Sequence, residues 1–301
     1  MGAGESSDAA LTSSLSWEVL GRTCNAVGLP SDGAKLLRLG ENAIFRLGRK
    51  PLVVRIGRSL ERLPIVEAEL CVARWLDGAG VAVACPYDGV AQPMVIDQRP
   101  VSVWHLVERD GDKPGVDDLA VLLRQVHALE NGPCALPRLD PFVHAEPRVR
   151  GAVGLAQEDR AFLLAWSADL RERFRGLDFV LPPGFVHGDA HTGNLLGRAG
   201  RAVLTDFEMA AIGPREWDLI PTAVSRARFG LAEDAYRRFV ARYGFDVTDW
   251  AGFDVLQDIR EFNMTAWLMQ NLAEGQHIAA EVALRIDSIR DGDRGREWHA
   301  F

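Results

Sequence analysis

Apolar positions follow two regimes along this chain. Up to about Leu106 they fall into short runs and alternations, and residues 35–39, 43–47 and 52–56 read as strands, with 94–96 and 101–106 as a hairpin turned at Asp97 and Gln98. Helical periodicity interrupts these strands twice, at 15–26 and 64–76. After the polar stretch ERDGDKPG at 108–115, apolar spacings of three and four dominate to the end, broken only by short strand-like runs. The pattern divides the chain into a flexible tail over 1–15, a small sheet-bearing region over 16–107 and a mainly helical region over 108–301.

Two polar strings sit between apolar runs in the helical region, FVHGDAHTGNLL at 185–196 and VLTDFE at 203–208. Phosphoryl transfer needs a carboxylate near the acceptor hydroxyl and hard oxygen ligands that hold magnesium against the triphosphate. The kinase template supplies an Asp, an Asn five residues later and a second Asp after a following strand. Asp189 and Asn194 have that spacing, and Asp206 follows the strand-like run at 202–205. Two short strands, at 195–196 and 203–204, joined by a turn over 197–200, form a hairpin that brings Asn194 and Asp206 together.

HGDAHTGN, then TDFE, then GPREWDL at 213–219 resemble the aminoglycoside phosphotransferase and choline-kinase-like family, a branch of the protein-kinase-like superfamily in which HGD replaces HRD. LVVRIGR at 52–58 resembles that family's third strand, and EAELCVARWL at 67–76 the helix whose Glu pairs with the strand's basic residue. The resemblance implies an α+β, bilobal protein-kinase-like fold, with a small antiparallel-sheet N-lobe and a larger, mainly helical C-lobe. It further implies Asp189 as the catalytic group, Asn194 and Asp206 as magnesium ligands, and Arg55 braced by Glu69 as the phosphate anchor. Glu67 is the fallback partner, since it points about 200° away from Glu69 around a helix. The adenine would lie against backbone at His105 and Val107. Gly40, Asn42 and Ala43, with Glu41, form the candidate phosphate cover, although GxGxxG is absent. His187 and Asp218 would hold the catalytic loop, and His127 reads as a packing residue.

The family usually carries Lys at the position of Arg55, and this chain has three lysines against 31 arginines. A planar guanidinium and a compact ammonium are not interchangeable. Lys50, in the preceding turn, is the alternative anchor.

Composition restricts the function further. A length of 301 residues accommodates two cores, and 48% apolar with 25% charged residues is ordinary for a globular protein. A net charge of −8 argues against a partner that is bound through a basic surface, so no nucleic acid is expected. The first fifteen residues lack a basic start and an apolar core, and no run is long enough to cross a bilayer, so no membrane partner and a cytoplasmic location are expected. Gly2 and Ser6 meet only a minimal myristoylation pattern. Cys24, Cys71, Cys85 and Cys134 show no metal-ligand spacing.

The expected activity is transfer of the γ-phosphoryl group of ATP or GTP, with Mg2+, to a hydroxyl of a small molecule, which includes antibiotic inactivation as one outcome. Residues 207–301 hold 16 acidic and 11 basic side chains, which suits an amine-bearing acceptor. Asp254, Asp258 and Glu261 share a helical stripe and, with His191, are the candidate acceptor contacts, while Arg260 stands beside them as a possible neutralising partner. Two other readings remain: a catalytically silent nucleotide-binding module, and a metal-dependent hydrolase built on His187, Asp189 and His191.

Overall fold

The computed structural model describes residues 11–108, 112–130, 132, 135–198 and 200–301. Gly2, Ser6 and Cys134 lie outside these residues, as do positions 109–111 of the polar stretch. The chain forms two compact units, one of residues 1–114, 132–136 and 193–210, the other of residues 115–131, 137–192 and 211–301.

The first unit opens with α1 (Ser13–Val27), which starts inside the expected tail because the Thr12 side chain accepts the Leu15 N–H at 3.3 Å and caps it. Strands β1 (Lys35–Leu39), β2 (Asn42–Arg46) and β3 (Leu52–Gly57) lead to α2 (Leu63–Gly78), followed by β4 (Met94–Ile96) and β5 (Arg99–His105). All neighbours in the sheet are antiparallel, in the order β1-β2-β3-β5-β4. Asp97 and Gln98, both with positive φ, make the turn expected between β4 and β5. Alternation along β2 and β3 sends Ala43, Phe45, Leu52, Val54 and Ile56 into one core with Val19, Leu20 and Cys24 of α1. The same pleat turns Arg55 to the opposite face, where α2 packs.

Strands β7 (Leu195–Arg198) and β8 (Arg201–Leu204) also belong to this unit. Their hairpin pairs Leu195 with Leu204. Leu204 N–H donates to Ala82 O at 2.9 Å and Ala84 N–H to Leu204 O at 3.0 Å, so backbone bonds attach the hairpin to the segment after α2. An apolar pattern carries no information about that attachment, which is why a single cut near Val107 assigns the hairpin to the helical region.

The second unit contains α3 (Val116–His127), α4 (Ala145–Gly151), α5 (Gln157–Arg175), α6 (Ile220–Arg228), α7 (Glu233–Tyr243), α8 (Phe253–Leu268) and α9 (Gln276–Arg290). A short antiparallel pair, β6 (Gly184–Val186) and β9 (Ala211–Gly213), flanks the HGD loop. Helix α8 is buried along most of its length, and Glu261 on it meets Arg228 of α6 through two bonds, at 2.8 and 2.7 Å. Arg228 also donates to the backbone oxygens of Asp293 and Arg296 and lies over the Trp298 ring, which fastens the C-terminal segment.

Both members of this pair are almost completely removed from water. Glu261→Ala leaves the guanidinium buried and uncompensated, and is expected to cost about 3–5 kcal/mol of stability, read as a fall in the urea midpoint at unchanged m. A loss under about 1 kcal/mol would show that the pair is not structural.

Candidate active site

In the first unit the Arg55 guanidinium is divided between two carboxylates. One terminal nitrogen donates to Glu69 of α2 and the other to Glu208 Oε1 at 2.9 Å. Glu69 is buried, whereas Glu67 points outward, as the helical phase requires. Burial opposes the charge on Arg55, but the Glu69, Glu208 and Asp206 carboxylates outweigh it and keep it protonated. Burial pushes Glu69 up to about 7, against the pull of Arg55 and with the repulsion of Glu208 and Asp206 added. Lys50 stays exposed in its turn.

Glu208 gathers two further donors, Asn42 Nδ2 at 2.6 Å and Arg62. Arg62 also lies 3.5 Å from Glu41. Of the candidate phosphate cover, Asn42 therefore faces this cluster, Gly40 is exposed in the turn, and Ala43 is buried in the core under the sheet. Neither Glu208 nor Arg62 was singled out by the sequence patterns. Glu208 stands two residues from Asp206 in TDFE, a legible signal, while nothing in the local sequence marks Arg62.

The β7–β8 hairpin positions Asn194 and Asp206. Thr205 donates to Asn194 O through its N–H at 3.0 Å and its hydroxyl at 3.1 Å, so Asn194 and Thr205 close the ladder, with Asp206 next. Asp206 has φ 68°, a left-handed conformation in which short polar side chains are tolerated and which is frequent at functional sites. An amide oxygen and a carboxylate at adjoining hairpin positions are hard donors of the kind magnesium takes.

At the end of β5, His105 N–H donates to Cys85 O at 2.9 Å and Leu106 N–H to Pro51 O at 2.8 Å. The strand is thus held on both flanks up to Leu106. Val107 N–H has no backbone acceptor among the described residues.

In the second unit Asp189 follows Gly188, whose φ of 86° the loop requires and only glycine adopts without strain. The loop is shaped by Asp218, a fully buried carboxylate that accepts His187 N–H at 2.7 Å and Gly188 N–H at 2.9 Å. His127 Nε2 lies 3.0 Å from Asp218, and Tyr243 Oη 2.9 Å from the other ring nitrogen of His127. His127 is thus a polar link rather than the packing residue expected. Trp217 Nε1 donates to Gly188 O at 2.9 Å, and the buried His187 ring accepts Asp189 N–H at 3.4 Å. Behind this brace a cavity of about 240 Å3 is lined by Arg124, His127, Leu181, Arg215, Tyr243 and Phe245, among others, and by none of the expected acceptor contacts.

The Asp189 carboxylate meets Arg260 Nη1 at 2.8 Å and His191 Nε2 at 3.4 Å. Burial raises its pKa, but the Arg260 and His191 contacts prevail and hold it well below the usual carboxylate range. Arg260 leaves the acidic stripe and turns to Asp189. The stripe itself does not form one open face: Asp258 is bridged to Arg294 at 2.7 Å and Arg173 at 3.4 Å, Asp254 lies 3.8 Å from Arg294, and Glu261 is buried against Arg228. Of the four candidate acceptor contacts, the structure brings only His191 to Asp189 among the described residues.

Solved structures share this fold along nearly the whole chain. An amicoumacin kinase in complex with AMP-PNP and Ca2+ superposes with a TM-score of 0.73 at 15% identity, covering 92% of this chain and 93% of that one. A microcompartment-associated aminopropanol kinase gives 0.67 at 17% identity, over 92% and 98% of the two chains. A GDP complex of an aminoglycoside 2'-phosphotransferase gives 0.64 at 17%, over 92% and 99%. The fold is of the bilobal protein-kinase-like, α+β class. No curated protein sequence matches the chain significantly. The sequence pattern of the phosphotransferase enzyme family matches residues 37–256, and the chain belongs to that family.

Because its folded pKa is depressed, Asp189 contributes its share of stability above the ordinary carboxylate value and loses it only as pH falls through the still lower folded value. In wild type, kcat/KM should therefore show no inflection from Asp189 above about pH 4. Arg260→Gln removes the main counter-charge while burial remains, so an acid limb should move up into the measurable range. Superimposable pH profiles for the two proteins would show that Arg260 does not set this pKa.

Proposed function

We propose that the chain transfers the γ-phosphoryl group of ATP or GTP to the hydroxyl of a small molecule. The observation that carries this reading is Asp189: a carboxylate kept ionised on a loop fixed by a buried Asp218, in a member of a phosphotransferase family. Asp189 orients the acceptor hydroxyl and takes its proton. It takes that proton late, after the bond to the leaving phosphate has loosened, which suits a dissociative transition state. Arg55, braced by Glu69, anchors the phosphates, and the adenine or guanine edge lies against His105 and Val107. Asn194 and Asp206 fit Mg2+ by their donor chemistry and their hairpin register. When bound, the ion supplies positive charge that offsets the charge on the transferring group. Asp218, His127 and His187 act through the loop.

The acceptor belongs to the broad class of hydroxyl-bearing metabolites or antibiotics. Asp254, Asp258 and Glu261 lend no support to an amine-bearing acceptor, since each is bridged to arginine. No helix of the described residues is long and apolar enough to cross a membrane, and we place the reaction in the cytoplasm, where its donor is made. The combination of Asp189, Asn194 and Asp206 favours a transferase over a nucleotide-binding module without transfer. A hydrolytic metal centre built on His187, Asp189 and His191 fits poorly with a His187 ring nitrogen turned to the Asp189 N–H. Among the described residues no group of three or more His, Cys, Asp or Glu is placed to hold a metal ion.

Mass spectrometry of mixtures of aminoglycosides, macrolides, nucleosides, sugars and amino alcohols with Mg2+ and ATP or GTP is the direct test, and a gain of one phosphate identifies the acceptor class. Asp189→Asn should lower transfer about 10²–10⁴-fold with nucleotide binding retained. Full turnover in that variant would remove Asp189 from the mechanism.

Arg55→Ala should raise KM for nucleotide and lower kcat together. Glu69→Ala should give a milder form of the same defect, and the double variant should be little worse than Arg55→Ala. Additive losses would make the two residues independent and send the search for the anchor to Lys50.

A further inference from the structure

Both terminal nitrogens of Arg55 are occupied by carboxylates in this structure. One terminal nitrogen is committed to the buried Glu69, and the other is taken by Glu208. An incoming phosphate oxygen would compete with the Glu208 carboxylate for that second nitrogen.

The surroundings of Glu208 are those of a bound oxyanion. Its two oxygens accept from Arg55 of β3, Arg62 from the short segment before α2, and the Asn42 amide at the start of β2. Three donors from three elements converge on one carboxylate, and two planar guanidiniums plus an amide form a set that suits phosphate as well as carboxylate. Arg62 is half-buried, its Nε has no hydrogen-bond partner among the described residues, and its remaining acidic neighbour, Glu41, is 3.5 Å away.

We propose that Arg55, Arg62 and Asn42 form a triphosphate receptor that Glu208 fills from within, so that Arg62 is a second phosphate-binding cation and Glu208 an internal anion which the nucleotide displaces. This rests on the nucleotide-dependent reading above and adds two residues to it. It also accounts for arginine at position 55. A guanidinium can hold Glu69 with one nitrogen while exchanging a carboxylate for a phosphate on the other, whereas an ammonium offers one point charge. The self-filled receptor lowers apparent affinity in proportion to the fraction of molecules in which Glu208 has left.

Tripolyphosphate titrated calorimetrically into the full chain, with EDTA and no metal, tests the receptor apart from catalysis. Glu208→Gln keeps the side-chain length, removes the competing charge, and should tighten binding about tenfold. Arg62→Gln should weaken it, and in combination should cancel the gain. Glu41→Gln removes a charge beside Arg62 without freeing Arg55 and should tighten binding far less. Arg62→Lys is the alternative should Arg62→Gln fail to fold, judged by thermal melting, and should also bind more weakly than wild type.

Unchanged or weaker binding by Glu208→Gln overturns the proposal. So do equal gains from Glu41→Gln and Glu208→Gln, unchanged binding when Arg62 is replaced, or no detectable binding by any variant. A wild type that phosphorylates no acceptor would instead count against the transferase reading, because the ratios among variants do not depend on turnover.

Discussion

A fully buried carboxylate must find fixed donors, and Asp218 finds them in the backbone of His187 and Gly188. The conformation of the HGD loop follows from this constraint. With those two N–H groups held, Gly188 takes its left-handed turn and Asp189 leaves the loop in one direction, where Arg260 and His191 meet it. His127 and Tyr243 extend the support into α3 and α7, so two helices distant in sequence hold the loop through one Asp218 oxygen. Replacing Asp218 would therefore act on Asp189 without touching it.

The first unit solves a different problem. Its basic residue sits mid-strand between Val54 and Ile56, both core residues, and the pleat alone directs it to the face carrying Glu69. Once there, the guanidinium has more donors than Glu69 can accept, and Glu208 takes the surplus. That choice links β3 with the TDFE segment and, through Asn42, with the β1–β2 turn.

Much of this was legible in the sequence where spacing decides geometry. The alternation of 52–56, the helical phase separating Glu67 from Glu69, and the hairpin flanked by Asn194 and Asp206 are all local regularities, and the elements and contacts found there follow them. What escaped was long-range pairing. Arg62, Arg260 and His127 pair with residues 146, 71 and 91 positions away, and no periodicity encodes such a match. The acidic stripe of α8 illustrates the same limit from the other side. Its spacing is real, but burial of α8 turned Glu261 inward, and Arg294, from beyond α9, covered Asp254 and Asp258.

The charge balance of the two units differs in a way that bears on what each can receive. Around Arg55 and Arg62 stand Glu41, Glu69, Asp206 and Glu208, so carboxylates outnumber cations two to one. A bare triphosphate would add several negative charges to an excess already present, and Coulomb repulsion in a partly buried cluster is only weakly screened. On the reading proposed for this site, the donor would bring countercharge with it, as a metal complex, or displace a carboxylate as it enters. At Asp189 there is no such excess. The carboxylate is neutralised by Arg260, so that the group there is a charge-balanced, hydrogen-bonded pair rather than a free anion. If Asp189 is the acceptor-side group, as proposed, its pairing with Arg260 favours an uncharged hydroxyl over an ammonium at that point.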